Sequence, residues 1–315
     1  MPAYRYRTVG VFTTVPLEGN PLAVFPDAAG LDPTAMQRIA RELNLSETTF
    51  VTPPERGGTA RVRIFTPGAE MPFAGHPTVG TAFVLRDEGH GGDALVLEEN
   101  VGDVAVRVTH DEGLQFWYRS PAFSFGKQLD RAAVAAALGL PVNALHPDAP
   151  PEFGTVGPTF LYVALRHRDD VDRAVLDTRA LHAAHPDLPK LQVFIVAPLP
   201  ESDGEPGDTY AVYARMFAEE FGIMEDPATG SATGVLPGYL IRHGLLPRED
   251  GLRLVSEQGT KMGRRSLLHV IVHVDGDALQ VDVGGSVVPI AEATLTLPDA
   301  ERAQSQRPVI PSAAP

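Results

Sequence analysis

One pattern occurs twice, once in each half of the chain, and it limits the architectures open to the sequence. The first copy runs Arg63-Ile64-Phe65, a loop, then His76-Pro77-Thr78-Val79-Gly80-Thr81-Ala82. The second runs Arg215-Met216-Phe217, a loop, then Asp226-Pro227-Ala228-Thr229-Gly230-Ser231-Ala232. Read as a strand, a turn and a helix opening at proline, each copy puts a capping residue before that proline, His76 in one and Asp226 in the other. The residues that follow, Ala82 to Leu85 and Val235 to Leu240, are small or apolar on most sides, which predicts a helix buried at a domain centre. A helix end built of Gly, Ser, Thr and Ala leaves its first N–H groups uncovered at the positive end of the helix dipole, where a carboxylate binds well. A pseudo-twofold axis between the halves would turn both ends toward one cleft, with His76 and Asp226 on opposite sides of it. Opposed acid–base groups with N–H donors between them suit removal of a proton beside a carboxyl group and its return elsewhere. Spacing alone leaves a purely architectural duplication, with Asp226 an ordinary cap, equally open.

Composition narrows the partners. The chain has 315 residues, a formal net charge of −14 and no cysteine. That charge argues against nucleic acid, whose phosphates need a basic face. The missing thiols exclude disulfides, thiolate metal sites and cysteine bases. No secretory h-region opens the chain and no apolar run approaches the roughly 20 residues of a membrane span, so the expectation is a cytoplasmic protein with no membrane partner. Short alternating apolar segments such as Arg5–Phe12, Ala60–Phe65, Asp103–Thr109, Leu191–Val196, Thr209–Met216 and Leu267–Val274 read as strands. Helices are fewer; Asp32-Pro33 caps one that runs to Leu43, and Arg131–Leu138 and Thr178–His185 read as short surface helices. Hairpins outnumber strand–helix alternations, which predicts an α+β fold. No GxGxxG or Walker pattern opens a helix after a strand, so no nucleotide cofactor is expected. Residues 301–315 are polar and aperiodic and read as a disordered tail.

Glu47, in the loop Asn44-Leu45-Ser46-Glu47-Thr48, is the third candidate, since loops between scaffold elements carry much catalytic chemistry. At these residues the chain resembles the PhzF family of phenazine-biosynthesis isomerases. The markers are Pro16-Leu17-Glu18-Gly19-Asn20-Pro21-Leu22-Ala23-Val24, Ala40 to Thr48, and Pro72-Phe73-Ala74-Gly75-His76-Pro77. Further on stand Glu225 to Ala232, Glu257-Gln258-Gly259 with Gly263-Arg264, and Val283-Gly284-Gly285, so the likeness covers nearly the whole chain to about residue 295. The resemblance implies a diaminopimelate epimerase-like fold of two pseudo-symmetric domains, each a barrel-like sheet around a central helix. One domain would hold residues 1–118 plus about 288–300, the other 119–287, usually in a homodimer.

The resemblance further implies cofactor-independent isomerisation of a small cyclic carboxylate of the trans-2,3-dihydro-3-hydroxyanthranilate type, with no metal. Glu47 is then the general acid/base and His76, Asp226 and Ser231 surround the substrate, with Ser46, Gly75 and Gly230 binding it. Related epimerases use two cysteines, a chemistry this chain cannot perform. Two other readings remain: an isomerase or epimerase of another small acid, and a non-catalytic ligand-binding protein on the same fold. His269 with His273, and His182 with His185, are spaced like metal pairs but lack a carboxylate that completes a set. Trp117 and Tyr118 read as core, and residues 121–158 match no pattern.

Overall fold

A computed structural model of the chain describes residues 2–111, 113–199 and 209–297. In chain order its first half holds β1 (Ala3–Val11), β2 (Asn20–Phe25), α1 (Pro33–Leu43), β3 (Glu47–Thr52), β4 (Ala60–Phe65), β5 (Glu70–Met71), α2 (Gly75–Asp87), β6 (Ala94–Glu99), β7 (Gly102–Thr109) and β8 (Gln115–Arg119). The remainder holds β9 (Ser124–Gln128), α3 (Arg131–Ala137), β10 (Glu152–Thr155), β11 (Thr159–Ala164), α4 (Arg168–Arg173), α5 (Thr178–Ala184), β12 (Val193–Pro198), β13 (Tyr210–Ala218), β14 (Ile223–Asp226), α6 (Gly230–Arg242), β15 (Arg253–Gln258), β16 (Ser266–Asp275), β17 (Ala278–Gly285) and β18 (Val287–Thr296).

The strands fall into two sets with one connection scheme. The first runs β18-β1-β2-β3-β4-β6-β7-β8, with parallel joints at β2–β3 and β4–β6 and antiparallel joints elsewhere. The second runs β9-β10-β11-β12-β13-β15-β16-β17, with parallel joints at the matching places, β11–β12 and β13–β15. An antiparallel β8–β17 pair joins the sets, so the fold is α+β and pseudo-twofold, as the sequence predicts. Each set wraps a helix. Residues 75–85 of α2 and 230–240 of α6 are buried throughout, which is why both helices are small or apolar on most sides. The amphipathic helix α1 covers the outside of the first set, placing Met36, Ile39 and Ala40 against Phe25, Phe50 and Phe65. It starts where expected: Asp32 Oδ1 accepts from Ala35 N at 2.8 Å and Pro33 opens the first turn.

The register of the internal repeat differs from the sequence reading. Neither His76 nor Asp226 is a cap: α2 starts at Gly75 after Ala74, and α6 starts at Gly230 after Thr229. Ile64 pairs with Met71 as Met216 pairs with Asp226. Arg63 makes a two-pronged ion pair with Glu70, at 2.8 and 2.7 Å. Arg215 does the same with Glu225, at 2.9 and 2.8 Å. The equivalent segments are therefore Glu70-Met71-Pro72-Phe73-Ala74-Gly75 and Glu225-Asp226-Pro227-Ala228-Thr229-Gly230. Asp226 corresponds to Met71, and His76 to Ser231. Because Thr48 pairs with Phe65 and Val193 with Phe217, Glu47 corresponds to Gln192.

The short or exposed elements β5, β9, β10, β14 and α4 were not expected from the sequence; β9, for example, is nearly all exposed and has no alternating pattern. Segment 121–158 contributes β9, α3 and β10 to the second set. The tail at 301–315 lies outside the described residues.

Candidate active site

The two central helices meet nose to nose. A methyl group on Gly75 would lie 3.0 Å from the Gly230 Cα and 2.2 Å from the Tyr118 hydroxyl oxygen; only glycine permits this approach. Neither helix has a side-chain cap. The N–H groups of Gly75 and His76, and of Gly230, Ser231 and Ala232, find no acceptor among the described residues. In front of these ends lies a cavity of about 400 Å³. Glu47, His76, Asp226, Ser231, Gly75 and Gly230 all line it, whereas Ser46 does not. Gln192, the counterpart of Glu47, is on the opposite wall, and exposed Lys190 stands at the rim over the Phe221 ring at 5.7 Å.

Glu47 opens β3 and reaches inward until its Oε2 is 3.3 Å from Nε2 of His76. Neither atom has a partner in hydrogen-bond geometry, so both are left for a ligand. Burial pushes the Glu47 carboxyl well above its ordinary range, and the charge of Asp226 pushes it further. Burial alone lowers the His76 imidazole to about 3, which keeps it neutral at physiological pH.

A residue without an assigned role in the sequence reading fixes the tautomer of that imidazole. Asn20 Nδ2 donates to Asp226 Oδ1 and to Ala228 O, each at 2.9 Å, and stands 3.2 Å from His76 Nδ1. The reverse amide orientation would press three acceptor oxygens together, so the NH₂ group faces Nδ1; a proton on Nδ1 would point at this amide nitrogen, which offers no acceptor lone pair. The ring proton is then on Nε2, facing Glu47. Thr229 Oγ1 donates to Asp226 Oδ2 and accepts from Gln258 Nε2 at 3.0 Å. Gln258 also donates to Asp226 O at 2.7 Å and accepts from Thr229 N at 3.1 Å. Burial raises the Asp226 carboxyl above the usual range, an effect that the Thr229 and Asn20 hydrogen bonds offset in part. In the sequence both residues lie inside the motifs that carry the family resemblance, each a polar residue beside an apolar strand core, Asn20 before Leu22 and Gln258 after Leu254.

The other candidates do not line the cavity, and His185 Nε2 is buried without a hydrogen-bond partner among the described residues. His273 Nε2 is 2.9 Å from Asp282 Oδ2, His269 packs on Trp117, and His182 meets the Glu220 carboxylate at 3.1 Å. Trp117 and Tyr118 are buried, as expected. No helix among the described residues is long and apolar enough to cross a membrane.

An acidic group with a raised pKa, a neutral imidazole and two sets of free N–H donors around one cavity make a site suited to acid–base chemistry on an epimerase-like fold. The sequence pattern described as "Phenazine biosynthesis-like protein" matches residues 9–293, and the chain belongs to that family. It is 37% identical over 299 residues to a trans-2,3-dihydro-3-hydroxyanthranilate isomerase of Pseudomonas fluorescens, covering 93% of this chain and 100% of the relative. A PhzF-family protein of Bacillus anthracis superposes with a TM-score of 0.85 at 27% identity, covering 94% of this chain and 100% of that one. A probable proline racemase of Agrobacterium radiobacter shares the fold, with a TM-score of 0.61 at 13% identity over 94% and 93% of the two chains.

Proposed function

We propose that the chain isomerises a small cyclic carboxylate of the trans-2,3-dihydro-3-hydroxyanthranilate class by a one-base proton shuttle. The observation that carries this reading is the asymmetry of the cavity: Glu47 faces an amide, Gln192, at the matching position of the other half. The other carboxyls that line the cavity are held by neighbours, Asp226 by Asn20 and Thr229 and Glu220 by Leu191 N and His182, so in this scheme Glu47 both removes the proton and returns it. The Glu47 carboxylate takes the proton from C3, the electron pair moves through the conjugated double bonds, and C1 receives the proton from the same carboxyl. The enol left behind then becomes the keto isomer by moving its hydroxyl proton to carbon, and no atom is gained or lost. The free N–H groups of the two helix ends hold the carboxylate, and His76 Nε2–H and Asp226 hold the carboxylate and the amino group. No cofactor or metal takes part in this scheme.

The test is turnover of trans-2,3-dihydro-3-hydroxyanthranilate by purified, chelator-treated protein in deuterium oxide, beside a panel of other small carboxylates. Conversion of that substrate is the expected result. Deuterium exchange into another acid, without conversion of this one, would overturn the substrate assignment.

Asp226→Asn gives a second test with a defined sign. Glu47 must be ionised to accept a proton, so kcat/KM falls on the acid side as Glu47 is protonated. Removing the Asp226 charge removes one of the two causes that raise the Glu47 pKa. The acid limb of the pH–rate profile is therefore expected to move to lower pH, measured on the residual activity. A shift to higher pH would contradict the coupling.

A further inference from the structure

Beneath α2 lies a carboxyl that the proton shuttle does not use. Glu99, the last residue of β6, is 1% exposed. Its Oε1 is 2.6 Å from Thr78 Oγ1, which is also 2.9 Å from the carbonyl oxygen of Ala74, the residue before α2. The Thr78 hydroxyl has one proton and faces two acceptors. Both contacts become hydrogen bonds only if Glu99 itself is protonated, donating to Thr78 while Thr78 donates to Ala74. The second oxygen, Oε2, is buried with no partner, a poor setting for a carboxylate. The titratable groups facing Glu99 do not neutralise it. Arg61 on β4 is spent on Val62 O, Glu98 O and Asn100, Tyr118 on β8 makes no hydrogen bond, and Asp103 on β7 is turned to Arg56.

The pseudo-twofold axis gives independent support. Glu99 ends β6 as Gln258 ends β15, Ala74 corresponds to Thr229, and both helices carry Thr at the fourth position, Thr78 and Thr233. In the second half the amide of Gln258 ties the residue before the helix directly, through Thr229. In the first half that residue is Ala74, which has no hydroxyl, and the tie runs through Thr78. A permanently neutral group thus occupies the position that Glu99 fills in the other half.

We propose that Glu99 is a positioning residue that works as a neutral carboxylic acid, donating through Thr78 to the Ala74 carbonyl and holding the turn of α2 that presents Gly75 and His76 to the cavity. Ionisation turns the Thr78 hydroxyl to the carboxylate and releases its bond to the Ala74 carbonyl, which keeps only the Thr78 N–H, at 3.2 Å. Burial raises this carboxyl to about 8, so the release falls just above neutral pH. Activity as a readout rests on the isomerase reading, whereas the protonation state does not.

Infrared difference spectra of the wild type minus Glu99→Gln report protonation whatever the substrate proves to be. A protonated-carboxyl band at neutral pH that disappears as pH rises through about 8 is expected. Its absence at pH 7 would overturn the proposal. Thermal melting follows by linkage: a folded-state pKa above the unfolded value gives full stability at low pH and loses it as pH rises. The wild-type melting temperature should therefore fall between about pH 4.5 and 8 relative to that of Glu99→Gln. In turnover, Glu99→Ala should lose about a hundredfold through misplacement of the turn. Glu99→Gln should recover most of that loss and flatten the alkaline limb. An equal loss in both variants would show that the acid form plays no such part. If Glu99→Ala does not fold, the spectra and melting curves of Glu99→Gln decide the matter alone.

Discussion

Replacing Glu47 by Gln is expected to lower kcat for isomerisation about a thousandfold while leaving the melting temperature close to that of the wild type. The size follows from one carboxyl serving both proton transfers, since no other group in the cavity takes its place. Asp226 is hydrogen-bonded to Asn20 and Thr229, Glu220 is held by Leu191 N and His182, and burial keeps His76 without its second proton. The small effect on stability follows from the other half of the molecule, where the same strand position already holds a glutamine, Gln192, on the cavity wall. The amide also escapes the desolvation that Glu47 bears on ionising. Circular dichroism melting beside steady-state kinetics checks both parts. A Glu47→Gln enzyme with wild-type turnover would remove the general base from the scheme.

Gly75→Ala is expected to damage both activity and stability. A methyl at this position meets the Tyr118 hydroxyl oxygen at 2.2 Å and its Cζ at 2.9 Å, with the Gly230 backbone at 3.0 Å behind. Tyr118 cannot withdraw, because it is 1% exposed and packed edge-on against Phe73. The helix ends must separate instead, and a displacement of about 1 Å in the N–H donors costs about a hundredfold in turnover. Overpacking of this kind also costs about 1–3 kcal/mol of stability. Gly92→Ala is the control, since nothing lies within 4 Å of a methyl group there, and it should leave both quantities unchanged. A Gly75→Ala protein with unaltered kinetics would mean that the ends need not touch.

The regular parts of the fold were legible in the sequence because burial imposes a period. Strands such as Ala60–Phe65, with alternate buried positions, and α1, with its Asp32 cap, stand where the pattern puts them. The elements not anticipated are those where burial sets no period, such as the two-residue β5 and the exposed β9. The repeat was visible but its register was not. Pro-x-x-Gly occurs at both Pro72 and Pro77 in the first half, and only one matches Pro227. The acidic residues that settle the choice, Glu70 and Glu225, look like ordinary loop charges until their ion pairs with Arg63 and Arg215 are seen.

The correct register changes the chemistry. Sequence pairing made His76 and Asp226 symmetry mates, opposed across a cleft. The structure instead pairs each of Glu47, His76 and Asp226 with a group that does not titrate: Gln192, Ser231 and Met71. The symmetric features, Gly75 with Gly230 and the free N–H groups beside them, are suited to holding a carboxylate. The asymmetric ones are suited to moving a proton in one direction. Asn20 and Gln258 stood among the family markers without a role because they orient neighbours, which spacing does not encode.

A single turnover with substrate carrying deuterium at C3, run in ordinary water and read by mass spectrometry and NMR, asks most directly whether one carboxyl carries the proton across. Direct carriage by Glu47 places part of that deuterium at C1 of the product. If the first turnover sends all of the label to solvent and fills C1 from water, the hydrogen did not travel on Glu47.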